Sequence, residues 1–281
     1  MFKDQAIQGI SSIKNNKVIF DMNKEIETEM KFIWKQLLFI LKFPFLLIMV
    51  IFRKKDAKEL FEPISDFWKF VTEPKVTFGL MLAIIAVFIA EIFMSSEFLE
   101  SLVFQPHQIL QLNFIPMISS WFLHANLLHL TGNLLALFVF GRIIEKRFGP
   151  GKTLMIYFVS AILSDIIAAL FGQGGIGASG AIAGLIGVAI LVDPFYISFF
   201  MAGIPLPIIV LGWLFIITDI TGILIPKEFD NIGHFAHLGG YIAASLIFFL
   251  VTPEERKNML KGLFINIGFV VAAVILMSYF G

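Results

Sequence analysis

Seven apolar stretches, each near the length that crosses a bilayer, constrain this chain more than anything else in it: residues 76–96, 121–141, 152–171, 178–192, 205–225, 232–251 and 262–280. Lipid offers backbone N–H and C=O groups no partner, so a spanning segment is a helix of roughly 17–25 mostly apolar residues. A soluble domain buries its core without repeating runs of that length. The composition agrees, with 58% hydrophobic residues, 15% charged and a mean hydropathy of +0.89. The expected fold class is an all-α polytopic membrane protein. Formal net charge is zero, which points to no nucleic-acid or acidic partner. The chain has no cysteine, which removes disulfides, thiol catalysis and Cys-ligated metals.

The placement of charge orients the spans. Arg142, Lys146, Arg147 and Lys152, then Arg256, Lys257 and Lys261, fall in loops on the side of the basic N-terminal segment. The opposite loops, 97–120, 172–177 and 226–231, offer only Lys227. The positive-inside rule then puts the N-terminus in the cytoplasm and Gly281 outside. Spans two, four and six therefore enter from the outer face of a multi-pass protein in the cell membrane. Residues 1–75 read as a cytoplasmic or interfacial segment. Within it, Leu37–Phe52 is an apolar run of 16 residues broken by Lys42 and Pro44, short for a span and flanked by basic residues, which favours an interfacial helix. The opening residues lack a continuous apolar core behind a basic start, so no cleavable leader is expected.

Chemistry is concentrated where those three spans begin. His124 and His129 open span two, and His234 and His237 open span six. Ionisable groups inside a membrane are costly and usually functional. Of these, His234 fits an imidazole at the outer interface, and His107 lies in the first outer loop. Span four begins Gly172, Gly174, Gly175, Gly177, Ala178, Ser179, Gly180. Its GxGxxG spacing has no βαβ unit around it, so a dinucleotide site is not expected. Counting from the cytoplasmic ends at about 1.5 Å per residue, Ser179 stands about 21 Å above Asp193, His129 about 20 Å above Arg142, and His237 about 24 Å above Pro253. One serine and two histidines from three helices thus share a depth.

A serine hydroxyl becomes a competent nucleophile when a base takes its proton, and a neutral imidazole is the usual base. The N-terminus of span four offers the Ser179 N–H and a helix dipole to a developing oxyanion. His129 and Asn133, at i and i+4, share a face of span two and can donate. Asp165 and Asp219 lie within spans, and both are read as structural or cavity-lining groups rather than triad members. Gly180, Gly184 and Gly187 on span four, and Gly240 and Ala244 on span six, would let those helices approach closely.

These residues resemble the rhomboid family. The resemblance runs through His124-Ala-Asn126-Leu-Leu-His129-Leu-Thr-Gly-Asn133, Gly141-Arg142 with Glu145 and Gly149, Gly177-Ala178-Ser179-Gly180, and Ala236-His237-Leu-Gly-Gly240. It covers about residues 76–251 and implies a six-helix rhomboid core, followed here by residues 252–281, a linker and a seventh transmembrane helix. It implies a metal-free serine endopeptidase without cofactor, acting on transmembrane proteins that enter sideways from the lipid bilayer. Ser179 would be the nucleophile and His237 the base. His129, Asn133 and the Ser179 N–H would form the oxyanion site. His124, Asn126, Gly177, Gly180 and Gly240 would shape the cavity. Two positions depart from the family pattern. Ile115-Pro116 replace a Trp-Arg pair in the first outer loop, and Ala183 replaces an aromatic one turn after the serine, so something else must orient His237. The alternatives are a catalytically silent rhomboid-like protein that binds clients and a histidine-based metal transporter.

Overall fold

The computed structural model describes residues 27–28, 30–201, 204–226, 228 and 230–280. The expectations for the extreme N-terminus, Lys227 and Gly281 lie outside them. Two compact units divide the chain between Val71 and Thr72.

The first unit holds α1 (Met30–Ile51) and most of α2 (Lys58–Thr72). They pair antiparallel: Phe32 stacks on Phe70 at 4.6 Å, Lys35 bridges Glu62 and Asp66, and the Gln36 amide donates to the Pro63 carbonyl at 3.2 Å. At 22 residues α1 is long and apolar enough to cross a membrane. The helix extends past the apolar run at its N-terminal end, so shortness no longer argues for an interfacial position.

The second unit carries seven helical segments where spans are expected, three of which (Leu127–Phe148, Pro150–Leu170 and Pro253–Tyr279) are long and apolar enough to cross a membrane. The seven are α3 (Lys75–Glu91), α7 (Leu127–Ala136) continuing through a π-turn (Leu137–Gly141) into α8 (Arg142–Phe148), α9 (Pro150–Leu170), α10 (Ser179–Val192), α11 (Ile208–Leu224), α12 (His234–Leu250) and α13 (Pro253–Phe280). Two boundaries differ from expectation. Span two becomes a helix only at Leu127, because Asn126 caps it by accepting the His129 N–H at 2.9 Å. The last helix starts at Pro253, a residue suited to a first turn, rather than at 262. The outer loop is built from α4 (Ser96–Leu102), α5 (His107–Leu110) and α6 (Ile115–Ser120). Residues 197–207 add a two-stranded antiparallel hairpin, Ile197–Met201 against Ile204–Pro207.

The centre of the bundle is α10. Every residue from Gly180 to Ile190 is buried, as expected of a helix apolar on all sides. Its 14 residues make about 21 Å, less than the roughly 30 Å of hydrocarbon. The missing length at its outer end is made up by irregular glycine-rich backbone. Lipid would not tolerate that backbone unpaired, and here two of its donors find partners: Gly175 N–H donates to the Phe104 carbonyl and Gly177 N–H to the Ser120 carbonyl. At its inner end the Asn266 amide of α13 donates to the Ile190 carbonyl at 2.7 Å, and Asn266 accepts from the Trp213 indole at 2.8 Å.

The Gly141–Gly149 motif fastens α8 to α3. Glu145 accepts the N–H groups of Val76 and Thr77 and the Thr77 hydroxyl, each at 2.9 Å, so a carboxylate caps the α3 N-terminus. A Cβ at Gly141 would lie 2.8 Å from Thr77 Cγ2. Glu145→Ala is expected to destabilise the protein by about 1–2 kcal/mol, the cost of losing a good helix cap. A thermal melt of the purified variant with an unchanged midpoint would contradict this.

Candidate active site

Ser179 is the first residue of α10 and half-buried, where the first-turn N–H groups have no intrahelical acceptors. The backbone reaches it through Gly177, whose φ of +123° suits glycine and strains residues with a Cβ. A Cβ at 177 would also lie 2.8 Å from both Cε1 and Nε2 of His129. Glycine here therefore turns the chain into α10 and admits the His129 imidazole beside the backbone just before Ser179.

The approach of α12 is set by another glycine. A Cβ at Gly240 would stand 2.2 Å from the Gly180 carbonyl oxygen and 2.8 Å from the Ala183 methyl. His237 lies at i−3 from Gly240, so the two share a face of α12. Ala183 is part of this contact, since a larger side chain at that position would meet Gly240. Gly180 is equally confined, with Ser164 Oγ of α9 only 1.9 Å from where its Cβ would be.

The other residues expected at the site have separate tasks. His124 is 2% exposed; its N–H donates to Glu91 at 3.2 Å, its Nδ1 lies 3.1 Å from the Phe122 carbonyl, and its ring centroid is 5.0 Å from that of His129. Asn126 is the α7 cap. Asn133 is buried, and one of its amide N–H groups is engaged by the His129 carbonyl at 2.9 Å. The outer loop, despite Ile115-Pro116, is anchored by other atoms: the Trp121 indole donates to Asp165 Oδ2 at 2.7 Å, and Ser119 Oγ to the Leu102 carbonyl at 2.8 Å.

One expectation needs correction and another gains a partner. His234 is no interfacial imidazole. It is 6% exposed, with Nδ1 at 2.8 Å from Asp219 Oδ1 and Nε2 at 3.1 Å from Asp230 Oδ2. Asp219, read as a structural or cavity-lining group, is hydrogen-bonded as such a group would be, and one of its partners is His237. Its Oδ1 is 2.7 Å from His237 Nδ1, and its Oδ2 accepts from the Tyr241 hydroxyl at 2.7 Å. The same count of depth would have found it, because Asp219 lies 11 residues along α11 from Ile208, about 17 Å.

Asp219, His234 and His237 also place three ligand atoms within 4.8 Å of one another, the one such group among the described residues. Their N···O contacts of 2.7 and 2.8 Å are hydrogen-bond distances. Around a tetrahedral zinc with bonds of about 2.0–2.1 Å, ligand atoms stand about 3.3 Å apart. As arranged, the cluster is a hydrogen-bond network.

Comparison with known proteins agrees with the motifs. A rhomboid domain model matches residues 111–254, just over half of the chain. RHOMBOID-like protein 1 of Arabidopsis thaliana is 33% identical over 150 residues, 48% of this chain and 36% of that protein. Rhomboid protease GluP of Bacillus subtilis is 34% identical over 132 residues, 44% of this chain and 24% of its own. Rhomboid protease GlpG of Haemophilus influenzae is 28% identical over 155 residues, 51% of this chain and 72% of its own. The chain thus spans less than half the length of the Arabidopsis relatives it matches, two of which are named as mitochondrial.

Proposed function

Because this chain belongs to the rhomboid family, we propose that it is an intramembrane serine endopeptidase, hydrolysing peptide bonds of transmembrane proteins with Ser179 as nucleophile and His237 as base. The observation that carries the reading is the convergence of three helix ends. Ser179 opens α10, His129 lies against Gly177, and Gly240, one turn after His237, packs on Gly180.

His237 takes the Ser179 proton as Oγ attacks the scissile carbonyl. The oxyanion so formed meets the Ser179 N–H and the His129 ring, near the positive end of the α10 dipole. His237 returns the proton to the departing amine, leaving an acyl-enzyme. Water, deprotonated by His237, then releases the carboxylate product. Substrates reach the site sideways from lipid, since a transmembrane protein is already embedded in it. The basic loops put the N-terminus of the core in the cytoplasm and the catalytic level toward the outer leaflet.

The Asp219–His234–His237 cluster favours one other reading, a metal-dependent protein. A fluorophosphonate is expected to label Ser179 in the purified protein, and EDTA to leave cleavage of a model single-span substrate unchanged. Activity lost to EDTA and restored by zinc would replace the serine mechanism with a metal one.

A further inference from the structure

A serine–imidazole pair works only if the imidazole presents a lone pair, not an N–H, to the serine. With Ala183 one turn after the serine, no aromatic ring stacks there to hold His237. We infer that Asp219 is the positioning residue for His237, a third member of the catalytic apparatus that fixes the tautomer and orientation of the base. This rests on the assignment of His237 as the base.

The carboxylate is 5% exposed and held by three side chains from one helix. His234, His237 and Tyr241 stand at i, i+3 and i+7, a single face of α12, and all three hydrogen-bond Asp219. Helix α11 is shaped to meet that face. One turn after Asp219, a Cβ at Gly222 would fall 2.0 Å from His234 Nε2, so only glycine leaves room for the imidazole. Beyond it, His234 also reaches Asp230, tying the clamp to the loop before α12.

The geometry selects a tautomer. An ionised carboxylate only accepts, so with Oδ1 at 2.7 Å the proton of neutral His237 belongs on Nδ1, and Nε2 keeps its lone pair for Ser179. The Tyr241 hydroxyl on Oδ2 prevents the carboxylate from rotating away. During proton transfer His237 becomes an imidazolium, and the adjacent negative charge stabilises it more strongly in a water-poor interior than in solvent. Holding two helices together would explain the His234 and Tyr241 bonds alone. It would not require the third bond, from Oδ1 to a ring nitrogen of the proposed base.

The test uses the full-length protein, purified and reconstituted, with a model single-span substrate. Asp219→Asn keeps the shape and loses the charge and the obligate acceptor. It is expected to lower kcat roughly 10- to 100-fold, with KM changed by less than about twofold, and to slow fluorophosphonate labelling of Ser179 by a similar factor. Tyr241→Phe keeps the carboxylate but frees it to rotate, and is expected to lower kcat about threefold or more at constant KM. If Asp219→Asn does not fold, Tyr241→Phe decides alone. Unchanged kcat in the folded variants, or a rise in KM with kcat intact, overturns the inference while Ser179→Ala remains inactive. Cleavage surviving in Ser179→Ala overturns the underlying mechanism instead. Stoichiometric zinc in the wild-type protein, absent from Asp219→Asn, would make the cluster a metal site and also overturn the inference.

Discussion

Ser179→Ala is expected to abolish cleavage of a single-span substrate, and His237→Ala to reduce it to a trace, with both variants still folded. The scale follows from what each atom does. Without Oγ there is no acyl-enzyme, and without the imidazole the hydroxyl keeps its proton, so either loss costs at least about 10⁴-fold. Folding should survive because both side chains are only half-buried and the close helix contact depends on Gly180 and Gly240 rather than on them. The two losses should not multiply, since nucleophile and base act as one unit. A purified Ser179→Ala protein that still cut its substrate would end the serine mechanism.

The oxyanion donors should rank unequally. His129 lies against Gly177, two residues before the nucleophile, whereas Asn133 stands one turn deeper and already gives an N–H to the His129 carbonyl. Only donors about 2.7–3.1 Å from the oxyanion position contribute strongly. His129→Ala is expected to lower kcat by roughly 10²- to 10³-fold, the scale for one such donor, and Asn133→Ala by less. Both changes should appear in kcat rather than KM, because the oxyanion exists only in the transition state. If His129→Ala weakened substrate binding and left turnover intact, the imidazole would belong to the docking surface.

The spans were legible because lipid makes an apolar stretch of fixed length close to unavoidable. Ser179, His129 and His237 were legible because depth along a helix is simple arithmetic once the ends are known. What the sequence hid was lateral: which helix faces which. Asp219 stood at a readable depth, but its bond to His237 joins residues 18 apart across an irregular loop, and nothing in the spacing says that α11 turns that face to α12. Asn266 and Trp213 were unreadable for the same reason, since Asn266 donates to a carbonyl 76 residues away on another helix and Trp213 donates to Asn266, 53 residues away. The hairpin at 197–207 was hidden by its own composition. ISFFMAGIPLP is as apolar as the spans around it, and only its glycine and prolines hint at a break.

The hold of α13 on α10 sets an order of events during synthesis. The Ile190 and Leu191 carbonyls belong to the last turn of α10, which offers them no N–H donor within the helix. Asn266 engages the first, and Gly262 lies so near the second that a Cβ there would be 1.8 Å from it. The ribosome completes α13 about 90 residues after α10, roughly 4 to 18 s later at ordinary elongation rates. For that interval the helix bearing Ser179 has an open groove and an uncapped end in the membrane. Its final rigidity waits for α13, so α10 enters the bilayer before the contacts that steady its inner end exist.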